Sequence, residues 1–258
     1  MFQSRSLRAL ALTGAAALAL ATGPVRAQEA AFDFDAMTPE QQAAFGAQVR
    51  AYLLENPQVI MEAVAVLEER EQQAQAAADD SLVQDNIDRL LDDGFSWVGG
   101  NPEGDVTVVE FIDYRCGYCR RAHPEVEQLV EMDGNIRLIV KEFPILGEAS
   151  VISSRFAVAT HIVEGDEAYK AVHDALIALE GNPGKGQLRR VAQTLGLDAE
   201  AILAEMDSDE VTRRISETRA LAQDMQINGT PSFVFGDRMV RGYAPLQTMM
   251  QIVEDQRS

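Results

Sequence analysis

Val106-Thr107-Val108-Val109-Glu110-Phe111-Ile112-Asp113-Tyr114-Arg115-Cys116-Gly117-Tyr118-Cys119 is the stretch on which the fold turns. The run from Val106 to Tyr114 is nearly all apolar and has the length of a buried strand, and two cysteines three residues apart follow it directly. Beyond them Arg120 to Met132 reads as a helix, Asp133-Gly134-Asn135 as a turn, and Ile136 to Phe143 as a second buried strand. This order predicts a βαβ unit with the cysteines at its strand-to-helix junction.

Working outward, Ser96 to Val98 reads as a short strand, closed by a turn at Gly99-Gly100-Asn101-Pro102. Residues 149 to 226 read as helices punctuated by Gly165, by Gly181-Asn182-Pro183-Gly184 and by Gly196. Short strands return at Ser232 to Phe235 and Met239 to Arg241 around Gly236-Asp237, and Ala244 to Asp255 closes the chain as a helix. The fold class is α/β, a sheet in two halves with a helical insertion at about 149–226, over residues 95–258.

An α-helical N-terminal arm precedes it over residues 28–94. Thr38-Pro39-Glu40-Gln41 carries a helix start, with Thr38 as cap, Pro39 in the first turn and Gln41 in the reciprocal capping position. Asn56-Pro57 starts a second helix, with Ile60, Val64 and Leu67 at helical spacing, that runs to about Leu91 and stops at Gly94. The arm has too few large apolar residues to bury a core alone, so its apolar face meets the main domain or another copy of itself.

Residues 1–27 read as a secretory signal peptide: Arg5 and Arg8, the apolar run Leu10 to Ala21, then Val25-Arg26-Ala27 at a cleavage site. Losing its three arginines and no acid takes the formal net charge from −19 to −22. Such an excess of acid repels phosphates, so no nucleic acid is expected as partner. An exported chain with two cysteines this close is no disulfide-stapled scaffold, because so short a loop barely constrains the unfolded chain.

The pair therefore reads as chemical. At a helix start, Cys116 meets unpaired backbone N–H groups and the positive end of the helix dipole, which favour the thiolate and make it the nucleophile. Cys119, one turn later and more buried, is placed to resolve a mixed disulfide. A zinc site would need two more ligands, and there is no second C-x-x-C while His123, His161 and His173 are scattered along the chain, so no metal is assigned. Cu(I) on the Cys116 and Cys119 thiolates stays open as a competing reading. Gly229-Thr230-Pro231 precedes a strand, where a cis proline would present backbone to an extended substrate. Glu110, an acid inside the apolar run, is either an outward-facing edge residue or a buried carboxylate serving Cys119.

Glu110 to Cys119, Lys141-Glu142-Phe143-Pro144-Ile145-Leu146-Gly147 and Gly229-Thr230-Pro231-Ser232-Phe233 resemble DsbA-like periplasmic proteins. The resemblance implies a thioredoxin fold with helical insertion, a cis Pro231, a redox-active Cys116–Cys119 disulfide in place of any bound cofactor, and disulfide chemistry on exported proteins in the periplasm. It puts Glu110 at the family's buried acid, and Gly117, Tyr118, Thr230 and Pro231 against substrate. Tyr52-Leu53-Leu54-Glu55-Asn56-Pro57-Gln58-Val59-Ile60 is similar to the N-terminal region of ScsC-type proteins, linked to copper tolerance, which implies a homo-oligomer, a trimer by that likeness, through residues 37–93. Gly117-Tyr118 and Thr230 look like the isomerase DsbC, implying an isomerase or reductase kept reduced by a membrane thiol reductase of DsbD or ScsB type. The alternatives are a monomeric DsbA-type dithiol oxidase and a copper-binding protein that uses the cysteine pair.

Overall fold

The computed structural model of the protein describes residues 36–181 and 183–258. The expected leader, residues 1–27, lies outside them, as does Asn182 of the turn expected at 181–184. The chain divides into two compact units at Glu62–Ala63, well before the boundary expected at 94/95.

The described part of the first unit holds α1 (Pro39–Glu55) and the opening of α2 (Gln58–Asp85). Thr38 and Gln41 form the reciprocal capping box read from the sequence. α1 buries none of its residues; Tyr52, Leu54, Ile60 and Met61 stand exposed.

The second unit begins inside α2. Asn86 interrupts the helix expected to run unbroken to Leu91: its side-chain amide donates to the Leu82 carbonyl (2.9 Å), and α3 (Ile87–Leu91) follows. Val83 on α2 and Leu90 on α3 are fully buried beneath the sheet with Val109, Phe111, Ile139 and Met225, each burial contributing roughly 1.5–3 kcal/mol. Asp79 pairs with Arg241, and Arg89 with Asp224 at 2.6 Å. Through these contacts the end of the arm joins the core of the second unit.

The sheet has the order β1-β3-β2-β4-β5, from β1 (Trp97–Gly100), β2 (Val106–Ile112), β3 (Ile136–Glu142), β4 (Ser232–Phe235) and β5 (Arg238–Arg241). β2 and β3 are parallel and joined by α4 (Gly117–Asp133), the expected βαβ unit; the other pairings are antiparallel. Gly99 and Gly100, expected in a turn, belong to β1. A Cβ at Gly99 would run into the Trp97 indole, and Gly100 has φ +68°, so glycine lets the strand continue where a side chain would end it.

Strand alternation sorts β2: Val109 and Phe111 face the lower core, while Val106, Val108 and Ile112 face the larger one with Cys119, Ala122 and Val126 of α4. Glu110 falls on that second, cysteine-bearing face. The insertion is α5 (Glu148–Glu164), α6 (Asp166–Ala178), α7 (Lys185–Thr194), α8 (Ala199–Glu205) and α9 (Asp209–Asp224), and α10 (Leu246–Gln256) ends the chain. Among the described residues no helix is long and apolar enough to cross a membrane.

Candidate active site

Cys116 is the N-cap of α4, in extended conformation, with no side chain capping the helix. The helix thus starts three residues earlier than its composition suggests, and its first N–H groups are left for the sulfur. Pro124 lies inside it and offers no N–H to the carbonyl one turn back. The loop before Cys116 is held by Asp113, fully buried: Oδ1 accepts from Arg115 N (2.8 Å), and Oδ2 from Ile145 N (2.8 Å) and Leu146 N (3.0 Å). Arg115 and Arg120 both donate to the Leu179 carbonyl at the end of α6, at 3.1 and 2.6 Å.

Both cysteines are free thiols. Cys116 Sγ lies 3.1 Å from the Thr230 carbonyl, to which the thiol donates. The Thr230–Pro231 peptide is cis, as the sequence resemblance implied. Hydrogen bonds from the Cys119 thiol, then from the Thr230 side chain and the backbone N–H groups of Cys119 and Tyr118, bring the Cys116 thiol down to about 5 despite its desolvation. Cys119, fully buried, is pushed strongly upward by its hydrogen bond to Cys116, by burial and by the charge of Glu110. One thiol is thus poised as nucleophile and the other held protonated.

Glu110 is buried in the central strand, 3 % exposed, which excludes the outward-facing alternative. Desolvation, then the charge of Glu127, raises its carboxyl to about 8. Its charge is among the causes that raise the buried Cys119 thiol. Gly117 opens α4 without crowding from any neighbour. Tyr118 is 61 % exposed beside the cysteines, its ring 6.3 Å from that of Tyr243. Tyr243, which sequence reasoning missed, is fixed by its hydroxyl donating to Glu125 (2.5 Å) and by Arg121 over its ring at 4.4 Å.

A second polar group was also missed. Glu142 Oε1 accepts from the Tyr114 and Tyr169 hydroxyls, both at 2.7 Å, and Tyr114 Oη lies 3.1 Å from His173 Nδ1. Burial raises Glu142 to about 7 against the pull of those hydroxyls, and burial with the nearby His123 charge lowers His173 to about 3. The histidines are not scattered, as their sequence positions suggested. The His123 and His173 rings are 5.1 Å apart, Tyr169 stacks on His173 at 5.9 Å, and His161 lies 5.2 Å from Tyr169. The signal available in sequence was the Lys141-Glu142 pair at the end of a strand that is apolar from Leu138 to Val140.

A parallel-stranded βαβ unit with an N-capping cysteine, a second thiol one turn on, and a cis Thr230–Pro231 peptide whose carbonyl meets the first thiol defines the class: a thioredoxin-fold dithiol protein. Residues 107–254, more than half the chain, match the DSBA-like thioredoxin domain, and residues 41–74 match the copper resistance protein ScsC N-terminal domain. A thioredoxin-like oxidoreductase from Silicibacter pomeroyi DSS-3 is 44 % identical, over 67 % of this chain and 98 % of that one, with TM-score 0.63. BcfH of Salmonella enterica Typhimurium is 27 % identical, over 85 % and 97 %, with TM-score 0.70. The chain belongs to the DSBA-like thioredoxin family, and its domain is of the thiol–disulfide oxidoreductase type. A Na(+)/H(+) antiporter NhaA 1 of Salinispora arenicola is 29 % identical over 60 % of this chain and 24 % of its own; the chain spans about a quarter of the length of the curated relatives it first matches.

Proposed function

We propose that the protein exchanges disulfides in exported polypeptides in the periplasm as an isomerase or reductase, with no bound cofactor beyond its own Cys116–Cys119 pair. The observation that carries this reading is the opposed state of the two thiols, Cys116 lowered to about 5 and Cys119 held protonated. The Cys116 thiolate attacks one sulfur of a substrate disulfide, forming a mixed disulfide and releasing the other as thiolate. In isomerisation a substrate thiolate then attacks that mixed disulfide, forming a new substrate disulfide and freeing Cys116, with no net electron transfer. In reduction Cys119 attacks instead, its proton passing to Glu110, and the reduced substrate leaves a Cys116–Cys119 disulfide. A membrane thiol reductase of the DsbD or ScsB type then returns two electrons to the pair.

Tyr118 and Gly117 leave the approach to Cys116 open, and the Thr230–Pro231 backbone supplies the ledge for extended substrate. The exposed Tyr52, Leu54, Ile60 and Met61, together with the ScsC N-terminal match, support self-association through the arm, as a trimer. Several linked sites would engage one misfolded chain at once. The low Cys116 value also favours a second reading, a monomeric oxidase, because a stabilised thiolate makes the disulfide more oxidising. Mass in solution and the redox potential against glutathione decide between them. An oligomer that refolds scrambled substrate and becomes monomeric on deletion of residues 37–62 supports isomerisation; a monomer with a strongly oxidising disulfide overturns it.

A further inference from the structure

α4 and α6 bring three side chains to one point. His123 comes from α4, and His173 and Asp174 are consecutive on α6; one ligand atom of each lies within 4.8 Å of the other two. His123 Nε2 is 3.1 Å from Asp174 Oδ1. We propose that His123, His173 and Asp174 bind a divalent first-row transition ion of the Zn(II) type, at a site separate from the cysteine pair.

Two imidazoles and one carboxylate are a donor set suited to such ions, and three protein ligands leave a position open for water or a further ligand. The shell behind them favours the same reading. The Tyr114 hydroxyl has one hydrogen, and it is committed to Glu142 Oε1 at 2.7 Å. With that hydrogen on Glu142, the oxygen can accept from His173 Nδ1, 3.1 Å away, in the tautomer that leaves Nε2 bare for an ion. A histidine whose far nitrogen donates into a fixed hydrogen-bond chain is the arrangement that orients metal-binding imidazoles. A cation already sits against the carboxylate: Lys170 Nζ is 2.7 Å from both Asp174 oxygens. Glu127 Oε2, 3.1 Å from the same ammonium, gives Lys170 a partner to keep when an ion takes its place.

The test uses the untagged full-length chain with Cys116→Ser and Cys119→Ser, so that no thiolate remains, titrated with Zn(II) by calorimetry and with Co(II) by absorption. One ion per chain is expected. His123→Ala and, separately, Asp174→Asn, both at partly exposed positions that leave the core intact, should each weaken uptake by about tenfold or more. Lys170→Met should tighten it by removing the competing ammonium. Failure of the cysteine-free chain to take up either ion overturns the proposal, as does uptake indifferent to His123→Ala. Neither result bears on the redox chemistry of the cysteines, which this chain lacks.

Discussion

Glu110 on β2 and Glu142 on β3 lie on paired parallel strands, on the same face of the sheet, and both are buried, at 3 % and 6 % exposed. Burial raises both carboxyls, to about 8 and about 7. They differ in what surrounds them. Two tyrosine hydroxyls converge on Glu142, whereas Glu110 is shifted by desolvation and the Glu127 charge with no hydrogen bond contributing. A buried acid gripped through one oxygen by two hydroxyls, even with its Oε2 unpartnered, is a structural post, and one to which no hydrogen bond contributes is free to exchange a proton. Location in the fold does not separate the two roles; the pair of tyrosine hydroxyls on Glu142 Oε1 does.

The largest expected effect tests the structural side. Glu142→Ala should cost about 3 kcal/mol in urea unfolding, because the buried Tyr114 and Tyr169 hydroxyls lose their acceptor. Glu142→Gln should recover most of that, since an amide oxygen can accept from both. A stable Glu142→Ala protein would break the contrast.

Next comes Glu110→Gln, which should leave the fold intact but slow the Cys119-dependent release of a mixed disulfide on the order of 100-fold in stopped flow. The same variant carries a pH signature. The folded Glu110 value of about 8 lies above that of an unfolded glutamate, so its contribution to stability is complete below about pH 4.3 and is lost as pH rises to about 8. Unfolding free energy of the parent should therefore fall relative to that of Glu110→Gln as pH rises through that window. A pH-independent difference between the two would remove Glu110 from the proton path.

The smallest effect lies at Cys116. Its acidity comes from the Cys119 thiol, Thr230 and backbone N–H groups. Alkylation of Cys116 followed against pH should titrate near 5 in the parent and be little moved by Glu110→Gln. In Thr230→Val, which removes one donor, the midpoint should rise. A Thr230→Val midpoint equal to that of the parent would mean that the side chain does not reach the thiolate.

How much of this could be read from sequence follows the range of each interaction. The strand and helix segments of the βαβ unit, the Cys116 cap and the Thr38 capping box depend on local patterning, and all were legible. The cis state of Pro231 came through resemblance, not periodicity. Glu110 was legible only as an anomaly, because the choice between edge and centre depends on β4 returning beside β2 from more than 100 residues away. The histidines looked dispersed because α4 and α6 meet only through tertiary packing. Val83 and Leu90, toward the end of the arm, look like ordinary helix residues until the sheet above them is in place.

The double grip on Leu179 sets the terms on which this domain can be re-engineered. What Arg115 and Arg120 hold is a peptide carbonyl, so no side-chain substitution at position 179 can remove the acceptor. Only a change in where α6 ends would withdraw it. The helical insertion is therefore not an interchangeable cassette: a chimera carrying another relative's insertion would have to land a carbonyl on the same spot, or the loop bearing Cys116 would lose two of its tethers.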